Sequence, residues 1–140
     1  MTDTIQVDIV SAEGEIFAGP AAMVFLPASE GDIGVAPRHA PLLTLLKPGE
    51  VRVKTPEGEE HSFYVGGGVL EVQPKRVTVL ADTAARAKDL DEAAALAARQ
   101  RAEEALAGHT DKITQAEALA ELARITAQLK MIQRLRKVRG

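Results

Sequence analysis

Apolar and polar residues alternate along the first 80 positions of the chain, and then the period changes. Ile5, Val7 and Ile9 occupy every second position, the pattern of a strand with one buried face. Further short strands are predicted at 15–18, 21–26, around Ile33 and Val35, at 42–46, from Val51 and Val53, and at 60–65, 69–72 and 77–80. Turn residues punctuate them. Gly19-Pro20 is expected to break one strand from the next, and Pro48-Gly49 to form a type II turn with glycine at positive φ. Pro56-Glu57-Gly58 and Gln73-Pro74-Lys75 close hairpins. Eight to ten short strands in about 80 residues predict an antiparallel sandwich or barrel.

Beyond Asp89 the spacing becomes helical. Asp89, with Glu92 three residues on, is placed to cap a first helix running to Ala107, where Gly108 stops it. A turn over His109–Thr114 follows, with Asp111 or Thr114 as the cap of a second helix reaching about Val138. Two helices joined by so short a loop form an antiparallel hairpin. Their apolar faces are unequal. The second helix carries Leu122, Ile125, Leu129, Ile132 and Leu135 at spacings of three and four. The first offers mostly alanine, with Leu90, Leu96 and Leu106 its only large apolar residues. A buried alanine contributes little more than one methyl group, about 0.8 kcal/mol, so the hairpin is expected to hold weakly. It is either a docked element that completes the fold or a mobile arm with a second docking site.

Composition sharpens the boundary. All seven prolines and nine of eleven glycines lie before residue 75, which divides the chain into a turn-rich β domain at 1–88 and a helical hairpin at 89–140. Charge divides it too. Lys130, Arg134, Arg136, Lys137 and Arg139 all follow the last acid, Glu121, a basic tail suited to an acidic partner surface. The net charge of −3 gives no general argument for nucleic-acid binding, and only four aromatic residues are present to stack bases. No cysteine is available for disulfides or thiolate metal sites. The N-terminus lacks the apolar run of a signal peptide, and no stretch approaches the ~18 consecutive apolar residues of a membrane span.

Two local features invite chemistry. Gly66-Gly67-Gly68 lacks the flanking residues of a phosphate loop and is read as a bulge or close backbone crossing. His39 has only His61 and His109 for company, neither at ligand spacing, so it is read as a contact residue rather than a metal ligand or base. No Ser/His/Asp or paired-carboxylate arrangement is present. The chain is expected to have no catalytic residues, no metal and no cofactor.

Three stretches then identify a relationship. The run from Gly31 through Asp32, Pro37-Arg38-His39 and Pro41 to Pro48-Gly49 resembles the signature of the epsilon subunit of F-type ATP synthase. So do Tyr64–Val72, with its three glycines, and Val77–Thr83. The segment Ala120–Leu129 is similar to that family's second helix. The resemblance implies an N-terminal antiparallel β-sandwich of about ten strands followed by a C-terminal antiparallel two-helix hairpin. It also implies a non-catalytic rotor subunit of the central stalk, lying between the gamma subunit and the ring of c subunits. By position, Ser29, Glu30, Gly31 and Asp32 would face the c ring and His39 the gamma subunit. In bacterial members the helices can leave the sandwich, extend along gamma and block ATP hydrolysis. Arg124, Lys130, Arg134, Arg136, Lys137 and Arg139 would then meet acidic loops of the beta subunits in the catalytic alpha/beta head. Some members bind ATP through a motif opening the first helix, but Ala94 stands where its arginine belongs, so no nucleotide binding is expected. Length and the absence of a transit peptide point to a bacterial protein, peripheral on the cytoplasmic face of the cell membrane. A free-standing module docking on anionic membrane or nucleic acid is the competing class, and the basic cluster holds no Trp or Phe to anchor in lipid.

Overall fold

The computed structural model describes residues 3–108 and 112–139, and the side chains of all of these except 112–114, 138 and 139. Contacts divide the chain into two compact units, Met1–Ala87 and Lys88–Gly140.

The first unit holds eight strands: β1 (Ile5–Ser11), β2 (Gly14–Ala21), β3 (Met23–Ala28), β4 (Gly31–Val35), β5 (Leu42–Lys54), β6 (Glu60–Val72), β7 (Arg76–Ala81) and β8 (Ala84–Arg86). Their order is β2-β1-β7-β6-β5-β3-β4, with β8 also paired to β6. Strands β5 and β6 are thirteen residues long and pair from Leu42↔Val72 to Lys54↔Glu60. On its other side β6 pairs with β8 over Phe63–Val65 and with β7 over Gly68–Val72, while β5 pairs with β3, from Met23↔Lys54 to Phe25↔Arg52 and again at Ala28↔Leu46. The register lapses at Lys47 and Gly67. The eight strands fall within the eight to ten expected from the spacing.

The core is the inward set of this folded sheet. Ile5, Val7, Ile9, Val24, Leu26, Val51, Val53, Phe63, Val65, Leu70, Val72, Val77 and Val79 are all buried. Each such side chain contributes about 1.5–3 kcal/mol.

Three local expectations are corrected. Pro48-Gly49 is not a turn: β5 runs through it, and Gly49 has no positive φ. Glycine is needed there because a Cβ would lie 2.7 Å from that of Pro27 on the paired strand β3, where the register shifts. Gly19-Pro20 does not end β2, because β2 is an edge strand and an edge tolerates a residue without an N–H donor. The sheet is not wholly antiparallel either. β1 pairs parallel with β7, from Gln6↔Arg76 to Val10↔Leu80, which long-range topology rather than local pattern decides.

The glycine run behaves as read. Gly67 and Gly68 have φ of 103° and 143°, and a Cβ on Gly68 would collide with the Leu80 carbonyl oxygen.

The second unit holds α1 (Glu92–Gly108) and α2 (Lys112–Arg139), preceded by a 3-10 turn at Ala87–Asp89. The cap is Asp91, not Asp89. Its Oδ1 accepts the Ala94 N–H at 3.2 Å, and its carbonyl accepts that of Ala95. Residues 109–111 lie outside the described residues, and Asp111 with them. Thr114 is already within α2, so the predicted turn is shorter than His109–Thr114. Ala95 and Ala102 meet Ile125 and Leu129, flanked by Ala98 and Leu122. Leu96, by contrast, is exposed. The contact face of α1 is therefore made of methyl groups.

Candidate functional site

Three surfaces are candidates, two of them carrying residues singled out in the sequence. The first is the β3–β4 hairpin. Ala28 pairs with Gly31 and Pro27 with Asp32, so Ser29 and Glu30 form a two-residue tip. Gly31 has φ of 142°, a value open to glycine, which closes so tight a loop. Ser29 and Glu30 are exposed, and the Asp32 side chain is 83% exposed. The tip is tied back to β5: the Ser29 N–H donates to the Leu45 carbonyl at 2.9 Å, and Lys47 Nζ lies 3.9 Å from Asp32 Oδ1. The result is an acidic projection on a fixed base.

The second surface was not foreseen. Leu45 pairs with Val69, Val69 with Leu80, and Leu80 with Val10, so one apolar row crosses β5, β6, β7 and β1. It faces away from the core. Leu45 is 62% exposed and Leu80 53%, while Leu43, two residues along the same face of β5, is 71% exposed. A registered row of large apolar side chains left in water marks a docking face. The signal was available in the sequence: Leu42–Leu46 is nearly continuous apolar, where a strand with one wet face should alternate. The row and the acidic tip meet at Leu45, whose side chain belongs to one and whose carbonyl holds the other.

His39 lies beyond the far end of β4 from the tip, so the structure separates it from Asp32. Its loop is braced. Arg38 takes the left-handed conformation, with φ of 68°, its N–H donates to the Pro74 carbonyl at 2.8 Å, and its guanidinium pairs with Asp3. His39 follows, with Nδ1 2.7 Å from the Ala40 carbonyl, and leads into Leu42 and Leu43 at the start of the apolar row.

The third surface is α2. At about 100° per residue, Lys130, Arg134 and Lys137 share one face of the helix. Lys130 and Lys137 are exposed and Arg134 is half-buried. Arg124 pairs with Glu121 at 2.6 Å, and the Arg139 side chain lies outside the described residues. Arg136 stands apart. It sits about 200° round the helix from Arg134, in line with Ile125 and Leu129, and pairs with Glu92 of α1. The cations that look like one cluster in the sequence are thus divided between two faces.

Ala94, at the position of the missing motif arginine, is exposed, and its N–H is taken by Asp91. Among the described residues no group of three or more His, Asp or Glu is arranged to hold a metal ion, and no polar or charged residue is buried. No helix among them is long and apolar enough to cross a membrane.

Two family models meet in this chain. The ATP synthase delta/epsilon chain β-sandwich domain matches residues 4–87, and the long α-helix domain of the same chain matches residues 88–133. The chain belongs to the ATP synthase delta/epsilon chain family. Among its relatives, the ATP synthase epsilon chain of Nitrosococcus oceani is 64% identical over 140 residues and the whole of both chains. That of Halorhodospira halophila is 60% identical over 136 residues, 96% of each. In fold, the chain is similar to one in the Euglena gracilis mitochondrial ATP synthase, with a TM-score of 0.80 at 19% identity. That match covers 89% of this chain and 78% of the other. A chain in the central stalk and c-ring structure of the Tetrahymena thermophila mitochondrial enzyme gives 0.61 at 14% identity, over 94% and 98%.

Proposed function

We propose that this chain is a non-catalytic rotor subunit of the central stalk of a proton-translocating ATP synthase, coupling rotation of the c ring to the catalytic head through gamma. The observation that carries this reading is the exposed apolar row of Leu43, Leu45 and Leu80 meeting the acidic tip at Leu45. A subunit held between two partners needs two adjoining faces of different chemistry. The apolar row, with His39 at its entrance, suits a permanent partner that removes it from water, which is the role of gamma. The tip of Ser29, Glu30, Gly31 and Asp32 suits the polar loops of a ring that turns with it. Residues 1–88 thus carry the rotor contacts, at the cytoplasmic face of a bacterial membrane, with no segment in the lipid.

Residues 89–140 act as an inhibitor of ATP hydrolysis. Lys130, Arg134 and Lys137 form a cationic face for acidic loops of the beta subunits, with Arg124 and Arg139 on the same helix and Arg136 in reserve. The methyl-only face of α1 supports this role, because α1 contributes only small side chains to the seam and the apolar cost of separation falls mainly on Ile125 and Leu129 of α2.

The test is ATP hydrolysis by the catalytic head and gamma rebuilt with either the full chain or a chain ending at Lys88. Faster hydrolysis with the shorter chain is expected. Equal rates, with both chains bound, would leave the sandwich as the functional part and remove the inhibitory role.

A further inference from the structure

Arg136 of α2 has an acidic partner on the opposing helix. The residues of α2 that face α1 are Leu122, Ile125 and Leu129. Arg136 continues that line, seven residues and about two turns beyond Leu129. Its guanidinium meets the carboxylate of Glu92, 44 positions away in sequence. Glu92 is the first residue of α1, directly after the Asp91 cap, where the positive end of the helix dipole favours a carboxylate. The pair therefore sits at the open end of the hairpin, opposite the connection between the helices. An interaction there resists separation with the longest lever. Elsewhere the seam rests on Ile125 and Leu129 of α2 set against small side chains. It is built from Ala95, Ala98 and Ala102 on the α1 side, and a shallow groove lined by Ala105, Glu117 and Glu121 opens along it.

We propose that the Glu92–Arg136 pair is a latch: it keeps the hairpin closed and withholds one head-binding cation, so that Glu92 and the acidic partner surface compete for the same guanidinium. This rests on the inhibitory role proposed above and adds its regulation. Closed, the hairpin presents the exposed Lys130 and Lys137 but holds Arg136. Opening frees Arg136 and the apolar stripe of α2 together. Inhibition is then restrained from within the chain. Arg136 is exposed and Glu92 half-buried, so salt reaches the pair and its removal shifts the open population by about two- to fivefold, enough to tune a response without locking it.

The experiment uses the full chain, which has no native cysteine to interfere with labelling. Spin labels at Ala97→Cys and Gln133→Cys, both exposed and on opposite helices, report the separation of the open end. Glu92→Gln is expected to move distances toward longer values and, in the rebuilt head with gamma, to strengthen inhibition about two- to fivefold. The exchange Glu92→Arg with Arg136→Glu should restore the short distances while weakening inhibition. Glu103→Gln, which removes an acid paired within α1 to Arg99, should change neither reading. Unchanged distances in Glu92→Gln would overturn the latch whatever the hydrolysis rate. Longer distances without stronger inhibition, in a chain whose truncation at Lys88 relieves inhibition, would overturn the competition. Truncation without effect would instead remove the inhibitory role itself, while the distances still decide whether the pair holds the hairpin shut.

Discussion

Gly68 shows how much one residue can carry. It sits in β6 at φ of 143°, and its missing Cβ makes room for the Leu80 carbonyl of β7. Gly58, in the β5–β6 turn, also has positive φ, 93°, but nothing lies within 4 Å of a Cβ there. The two separate strain from collision. Gly58→Ala should cost only the left-handed penalty, about 1–2 kcal/mol. Gly68→Ala adds a backbone clash and should cost clearly more, about 3 kcal/mol or above. Urea unfolding of the two variants checks this, and equal losses would mean that the crossing relaxes freely. At the same scale, Ala94 decides a chemical question. With no arginine there, titration calorimetry of the full chain with MgATP should show no micromolar binding.

At the scale of elements, helix starts were the least legible feature and helix faces the most. Asp89 and Asp91 both precede a good helical stretch, and the 3-10 turn at Ala87–Asp89 moves the start to Glu92. Asp91→Ala should therefore lower the stability of the hairpin by about 1 kcal/mol, with Asp89→Ala much less, measured by thermal loss of helical signal. The stripe on α2 was readable because 3.6-residue periodicity is a property of one helix alone. The mostly alanine face expected of α1 does make the contact, but which alanines was not readable: Ala95 and Ala102 meet the stripe, with Ala98 beside them, and Leu96 faces water. Leu129→Ala should cost the hairpin about 2 kcal/mol or more, since no large side chain on α1 can fill the gap.

At the scale of the whole molecule, the exposed row gives the sharpest test of the proposed role. Leu45→Asp or Leu80→Asp places a charge in a face meant for burial and should weaken gamma binding at least tenfold in a pull-down or titration, a loss of about 1.4 kcal/mol or more. Because both side chains already lie in water, the urea midpoint of the free chain should barely move. A fall in stability equal to the loss in binding would mean that the row is part of the fold.

The amino-acid sequence by itself determined what depends on neighbours along the chain: period-2 and period-3.6 faces, the turns at Pro56–Gly58 and Gln73–Lys75, the change of polymer near residue 88, and the motifs that mark the family. Only the tertiary structure decided what depends on residues far apart. The parallel pairing of β1 with β7, the pairing that carries β5 straight through Pro48-Gly49, and the row from Val10 to Leu45 all require strands to find partners well separated along the chain. So does the division of the basic cluster, because Arg136 is set apart by a glutamate 44 positions distant, on a helix that sequence pattern alone could place only as a neighbour. Local sterics and hydrophobic period write the first group, and chain topology, which no short window contains, writes the second.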